Sequence, residues 1–174
     1  MKTRMQVAAC VITAITVLLA RGVAGHAQAA SGQATKQQKE TSVTGHASGI
    51  FDVKLMPQPV VDGEAGIGRM SIDKQFHGDL EGVSKGEMLS SQGSIKGSAG
   101  YVAIERVSGT LQGRKGSFVL QHNATMNRGT PQLNIIVLPD SGTEQLAGIA
   151  GMMTIKIDQG QHFYEFAYTF NDAK

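Results

Sequence analysis

The stretch that decides the fold is AGYVAIERVSGTLQGRKGSFVLQHNATM, residues 99–126. Apolar and β-branched residues alternate with polar ones on both sides of a glycine-rich centre, a pattern typical of two antiparallel strands joined by a tight turn. We predict that Arg114 and Lys115 form a two-residue turn. With this turn, Glu105 and His122 become diagonal neighbours on one face of the hairpin.

Alternation with a period of two runs through the chain from Val43 onward, and no segment shows the apolar recurrence of an amphipathic helix. The 22 glycines would also destabilise any helix that contained several of them. Counting the two hairpin strands, eight extended segments can be recognised. The sequence therefore predicts an all-β, eight-stranded antiparallel barrel, because closure removes unpaired strand edges. A two-sheet β-sandwich is the alternative.

The first 29 residues are predicted to be a secretory signal peptide. Lys2 and Arg4 precede an apolar run, and Ala27-Gln28-Ala29 offers a cleavage site of small residues. The run is shorter than the about 20 apolar residues that a membrane-spanning helix needs, although an uncleaved anchor is the alternative. We therefore expect a periplasmic or secreted protein that has no membrane attachment after cleavage.

Two further regions follow the signal peptide. Residues 30–42 are small and polar without apolar periodicity, which predicts a disordered tether. Residues 43–172 are predicted to form a single β-barrel domain.

Removal of the signal peptide would change the charge of the chain. The segment contributes three basic residues and no acidic ones, so the formal net charge would fall from +2 to −1. A nearly neutral chain lacks the basic surface of a nucleic-acid-binding protein, and we expect no nucleic-acid partner. Cys10 would leave with the signal peptide, so the mature chain would have neither disulfides nor thiolate metal sites.

Four polar residues interrupt otherwise apolar strand faces and are the candidates for a ligand site. Glu105 shares its face with Tyr101, and His122 lies across the same hairpin. Glu165 lies between two apolar residues of the last strand and is a third ionisable candidate. If these faces point into the barrel, the buried groups need hydrogen-bond partners. The alternative is a set of rim residues, cross-strand ion pairs and one core histidine.

Three weaker patterns carry no site prediction. Gly82-Val83-Ser84-Lys85-Gly86 fits G-x-S-x-G, but a nucleophile elbow needs a helix after it, so we predict a glycine-rich corner. Residues 140–143, Asp-Ser-Gly-Thr, match the aspartic-protease phrase only once, and that chemistry needs two carboxylates. The histidines come from separate segments, and we predict no metal site and no cofactor.

Four longer phrases are similar to those of a known family. They are FHGDLEGVSKGEML (76–89), YVAIERVSGTLQGRKGSFVLQH (101–122), LPDSGTEQLAGIAGMMTIKI (138–157) and HFYEFAYTF (162–170). In this order they resemble a bacterial domain-of-unknown-function family, number 3224. The resemblance implies an eight-stranded antiparallel barrel similar to that of allene oxide cyclase. It implies no activity, because the catalytic residues of the cyclase find no match in this chain.

Three kinds of function fit these residues. The first is a binding module that holds a small, largely apolar molecule inside the barrel. The second is a structural or partner-binding barrel with a filled core, and homo-oligomerisation is left open. The third, which we place last, is an isomerase- or cyclase-type enzyme in which Glu105 or His122 transfers a proton. A filled interior would exclude the first and third functions, and a strongly perturbed Glu105 would favour catalysis over carriage.

Overall fold

The structure is a computed structural model that describes residues 43–60 and 66–171. The predicted signal peptide and tether lie outside these residues. The strands are β1 (Val43–Gln58), β2 (Ile67–Gly78), β3 (Leu80–Gln92), β4 (Ala99–Leu111), β5 (Arg114–Asn127), β6 (Thr130–Val137), β7 (Ile149–Asp158) and β8 (Gln161–Phe170). A one-turn 3-10 helix (Glu144–Leu146) lies between β6 and β7. Within the described ranges, no helix has the length and apolar character needed to cross a membrane.

The eight strands form one closed antiparallel barrel. Each strand pairs with the next one along the chain, and β1 pairs with β8 from Val43↔Phe170 to Phe51↔His162. The predicted barrel is therefore confirmed, and the β-sandwich alternative is wrong. Closure pairs the backbone groups that an open sheet would leave at its two edges.

The β4–β5 hairpin turns two residues earlier than predicted. Gln112 and Gly113 form the turn with φ angles of 45° and 85°, and Leu111 pairs with Arg114. Two consecutive residues with positive φ define a type I′ turn, whose twist matches that of the flanking strands. The predicted turn at Arg114 and Lys115 is therefore wrong. Because the error moves each cross-strand partner by an even number of residues, every side chain keeps its predicted face.

One end of the barrel interior is filled with large side chains, and we call this part the closed half. Phe118 and Phe166 stack with 5.6 Å between their ring centroids, and Phe76 meets Tyr164 edge to face at 5.6 Å. Leu146 from the 3-10 helix is fully buried in the same core. An eight-stranded barrel is just wide enough for its side chains to fill it. Other fully buried apolar side chains of the closed half include Ala47, Leu80, Val107, Leu111 and Leu120.

The opposite end of the interior is open, and we call it the open half. The β1–β2, β3–β4, β5–β6 and β7–β8 connections lie at this end. The β6–β7 ladder has only two register pairs, Ile135↔Met153 and Ile136↔Met152, so it stops short of the open end. Strand alternation points apolar side chains inward here. They are Leu55, Met70, Met88, Tyr101, Met126, Leu133 and Ile157.

Candidate functional site

A carboxylate lies fully buried between the two halves. Glu105 is 0% exposed, and its Oε1 accepts hydrogen bonds from Lys74 Nζ at 2.6 Å and from His122 Nε2 at 2.9 Å. Its Oε2 accepts a hydrogen bond from Ser84 Oγ at 2.6 Å. We call Lys74, Ser84, Glu105 and His122 the polar cluster. Every buried polar side-chain atom in the described residues has a hydrogen-bond partner, as the cost of burying an unpaired polar group requires.

Strand register brings the polar cluster together. Lys74 pairs with Ser84 across β2 and β3, whereas His122 lies one diagonal step from Glu105 because it pairs with Ala103. The diagonal contact between Glu105 and His122 that we predicted from the hairpin is therefore present. A diagonal separation on one face of a sheet is within reach of long side chains.

A glycine makes the longer contact from β2 to β4 achievable. Gly86 on β3 pairs directly with Glu105, and a Cβ atom at Gly86 would meet Glu105 Cα at 2.6 Å. Glycine in the interior of a strand often marks such a close approach. The G-x-S-x-G match containing Ser84 is thus the middle of a strand, and our prediction of a corner there is wrong. Its serine supports Glu105.

The polar cluster lowers the pKa of Glu105. Burial raises this pKa, but the hydrogen bond from His122 and the positive charge of Lys74 outweigh burial and bring the pKa to about 2. Hydrogen bonds and opposite charges favour the ionised form of a buried carboxyl group. Glu105 is therefore a carboxylate throughout the neutral range.

Lys74 is the member of the polar cluster that sequence reasoning missed. Its side chain is 6% exposed, and its Nζ lies 4.8 Å from the centroid of the Phe51 ring and 5.8 Å from that of Phe76. Such positions add cation–π attraction to the ion pair with Glu105. The available signal was the alternation in β2, where Ile72, Lys74 and Phe76 all occupy inward positions.

The two remaining candidates, Tyr101 and Glu165, lie on different faces of the barrel wall. Tyr101 is half-buried on the inward face of β4, and its pKa is raised by burial and by the charge of Glu105. Because it precedes Glu105 by four residues on β4, Tyr101 lies between the polar cluster and the open end. Glu165 is on the outer face, 58% exposed, with its Oε2 3.0 Å from His46 Nε2. The prediction that Glu165 faces the interior is wrong, because β8 points Tyr164 and Phe166 inward instead.

The open half contains a cleft of about 290 Å³ between strands β3, β4, β5 and β6. Leu133 is 42% exposed and Ile157 is 63% exposed although both occupy inward positions. Exposure falls along β4 from half-buried Tyr101 through Ala103 to fully buried Glu105. Neither Lys74 nor His122 lines this cleft, but both retain slight exposure, and His122 lies two residues from Ala124 of the cleft on the same face of β5. We call these two side chains the floor of the open half. The inward residues among those lining the cleft are Ser90, Gln92, Ala99, Tyr101, Ala124, Met126, Pro131 and Leu133.

No metal site is evident in the part of the chain that the structure describes. No three histidine, cysteine, aspartate or glutamate side chains converge there as metal ligands. A protein metal site generally needs at least three such donors.

Comparison with known proteins identifies the family. Residues 47–168 match the family model DUF3224, described as a protein of unknown function. A crystal structure of a DUF3224-family protein of unknown function from Shewanella oneidensis MR-1 is 51% identical, with a TM-score of 0.68, and the match covers 78% of this chain and 100% of that chain. No curated protein matches this chain at a significant level. Neither match refers to allene oxide cyclase, so that likeness stays a prediction. The chain belongs to the DUF3224 family.

Proposed function

We propose that this protein is an exported binding module that holds a small, largely apolar molecule in the open half of its barrel. The observation that carries the proposal is the exposure of apolar side chains on the inward face at one end. Leu133 and Ile157 remain in contact with solvent there, whereas the closed half is packed. Burial of exposed apolar surface by a ligand is favourable by about 25 cal/mol per Å².

The shape and lining of the open half support the same proposal. Ligand sites are usually concave and mostly apolar, with a few polar groups that fix orientation. The cleft combines apolar walls, such as Met126 and Leu133, with the hydroxyl-bearing Tyr101. Methionine side chains adapt their shape readily, which suits a site that closes around an apolar molecule.

The state of Glu105 favours carriage over catalysis. A general base that works near neutral pH needs a pKa near that pH, and the pKa of Glu105 is about 2. Its two oxygens are also occupied by Lys74, His122 and Ser84. A Glu105 whose pKa is raised toward neutrality would indicate catalysis. The pKa of Glu105 is strongly lowered instead, which is the opposite of what a proton-accepting base requires.

Titration with the neutral fluorescent probe N-phenylnaphthylamine tests binding. We expect saturable fluorescence enhancement with about one site per chain. Leu133→Glu places a charge at the inward face of β6, whereas the matched Asn134→Glu places it on the outer face, away from the cleft. We expect the first variant to weaken probe binding at least about tenfold, or about 1.4 kcal/mol, and the second to leave it unchanged. Absence of saturable binding, or equal loss in both variants, would refute the proposal.

Export has its own test. The charged start, the apolar run and Ala27-Gln28-Ala29 support cleavage after residue 29. Mass spectrometry of the protein recovered from its native host should find Ala30 at the N-terminus. An exported form that keeps Met1 would refute cleavage and favour an uncleaved anchor.

A further inference from the structure

We infer that the molecule held in the open half carries a carboxylate, which Lys74 and His122 receive at the floor of that half. The inference rests on the proposed function, because it assigns the polar end of the same ligand. It follows from the donors that the polar cluster leaves unused and from the charges that face the interior.

The acceptors of the polar cluster are already engaged. Glu105 Oε1 accepts two hydrogen bonds and Oε2 accepts one, and the side chain is fully buried. A ligand in the cleft therefore has no access to this carboxylate. A ligand group that donates hydrogen bonds finds little to bind at the floor.

The donors of the polar cluster are only partly engaged. An ammonium group carries three donors, and Lys74 Nζ gives one hydrogen bond to Glu105 within residues 43–60 and 66–171. The rings of Phe51 and Phe76 attract the charge but accept no conventional hydrogen bond. In the same residues, His122 forms a side-chain hydrogen bond through Nε2 alone. The capacity that remains at the floor is for a ligand group that accepts hydrogen bonds.

The balance of charge points to an anionic acceptor rather than a neutral one. On the inward positions of the eight described strands, Glu105 is the one carboxylate, whereas Lys74, His122, His162 and, at the closed end, Arg114 are basic. The ring centroid of His162 lies 4.9 Å from that of Phe51, the ring that Lys74 Nζ also contacts. Lys74 and His122 thus both form hydrogen bonds with the same buried carboxylate.

Binding of the carboxylate should therefore be coupled to uptake of a proton. Lys74 and Glu105 neutralise each other, so a second carboxylate brings an uncompensated negative charge into a partly buried site. Protonation of His122 compensates it, because both ring nitrogens then donate. The other titratable or charged groups at inward positions are Tyr101 and Glu105 on β4, Lys74 on β2, His162, Tyr164 and Tyr168 on β8 and, at the closed end, Arg114 on β5. Strand β6, which pairs with β5 beside His122, contributes only apolar side chains such as Ile135 there.

A matched set of ten-carbon amphiphiles tests the inference. Decanoate, decanol and decyltrimethylammonium would compete with N-phenylnaphthylamine on the full chain, each below the concentration at which micelles form. We expect decanoate to compete at least about tenfold better than decanol, and the cation to compete worst. Calorimetry in two buffers of different ionisation enthalpy should show that decanoate binding is accompanied by proton uptake.

Variants separate the role of charge from that of folding. Lys74→Met combined with Glu105→Gln removes both charges without leaving either one unpaired, and it should abolish the preference for decanoate while the probe still binds. His122→Gln keeps a donor toward Glu105 and should abolish proton uptake. The control is His77→Gln, because His77 is exposed on the outer face beside Glu81. This variant should change neither result.

Each outcome decides one of the two proposals. Equal competition by the three amphiphiles, or best competition by the cation, with probe binding intact would overturn the carboxylate inference and leave the binding module standing. Preference for decanoate without proton uptake would overturn the role of His122. Failure of the wild-type chain to bind the probe and all three amphiphiles would overturn the proposed function itself.

Discussion

The two halves of the barrel share one backbone architecture but differ in the side chains that point inward. In the closed half, aromatic rings such as Phe118 and Phe166 stack and exclude solvent. In the open half, the same inward positions carry methionines and smaller residues, including Met70 and Ala99. An eight-stranded barrel is close to the size that its own side chains can fill. The identity of inward residues, rather than the strand order, therefore decides whether a half is core or cleft.

The largest expected effect is the loss of an aromatic ring from the closed half. Phe118→Ala should destabilise the protein by about 4 kcal/mol, because it creates a cavity in a packed core. Leu133→Ala, at the exposed end, should cost below about 1 kcal/mol, because water already reaches the site. Urea unfolding of both variants measures the difference. Equal costs would contradict the division of the interior into a packed half and an open half.

The next effect concerns the buried ion pair at the boundary of the halves. Glu105→Gln should destabilise the protein by about 3 kcal/mol, because it leaves the charge of Lys74 buried without its partner. Glu87→Gln breaks the outer pair with Arg69, whose Glu87 side chain is 54% exposed, and should have a much smaller effect. Thermal unfolding at neutral pH compares the two variants. A larger loss for Glu87→Gln would show that the polar cluster contributes little to stability.

A smaller effect should appear in acid. The pKa of Glu105 is about 2 in the folded protein, against an ordinary value of 4.5. Because the folded pKa is depressed, its contribution is fully present above the ordinary value and is lost as the pH falls toward about 2. By about pH 3, about 2 kcal/mol should be lost.

Subtraction isolates this contribution from that of the other acids. The difference in stability between wild type and Glu105→Gln should shrink as the pH falls from about 5 to about 3. The difference between wild type and Glu87→Gln should change less, because Glu87 is exposed. A Glu105 difference that is constant across this range would show that the carboxyl pKa is not depressed.

The predicted contact between Glu105 and His122 survived the register error because the shift was even and moved His122 from one diagonal position beside Glu105 to the other. Gln112 and Gly113, rather than the predicted pair, form the turn, yet the two side chains still meet on one face. The barrel was predictable for a related reason, since eight segments with a period of two leave few alternatives.

The role of Lys74 could not be obtained from the hairpin alone. Its contact with Glu105 crosses β3 at Gly86, and such a contact depends on the register of three strands at once. The prediction that Glu165 faces the interior was wrong for a different reason. Both faces of β8 carry apolar residues, such as Phe163 outside and Phe166 inside, so alternation gives the two sets of residues but does not decide which set faces inward.

Methyl NMR of the methionines most directly tests the claim that the open half binds an apolar molecule. Inward Met70, Met88 and Met126 line the open half, whereas Met56 and Met152 lie on the outer face. With the full chain labelled at its methionine methyl groups, N-phenylnaphthylamine should shift the three inward signals through the ring current of the bound probe, saturably, and leave Met56 and Met152 unchanged. Shifts confined to Met56 or Met152, or no saturable shift at any methionine, would contradict binding inside the barrel.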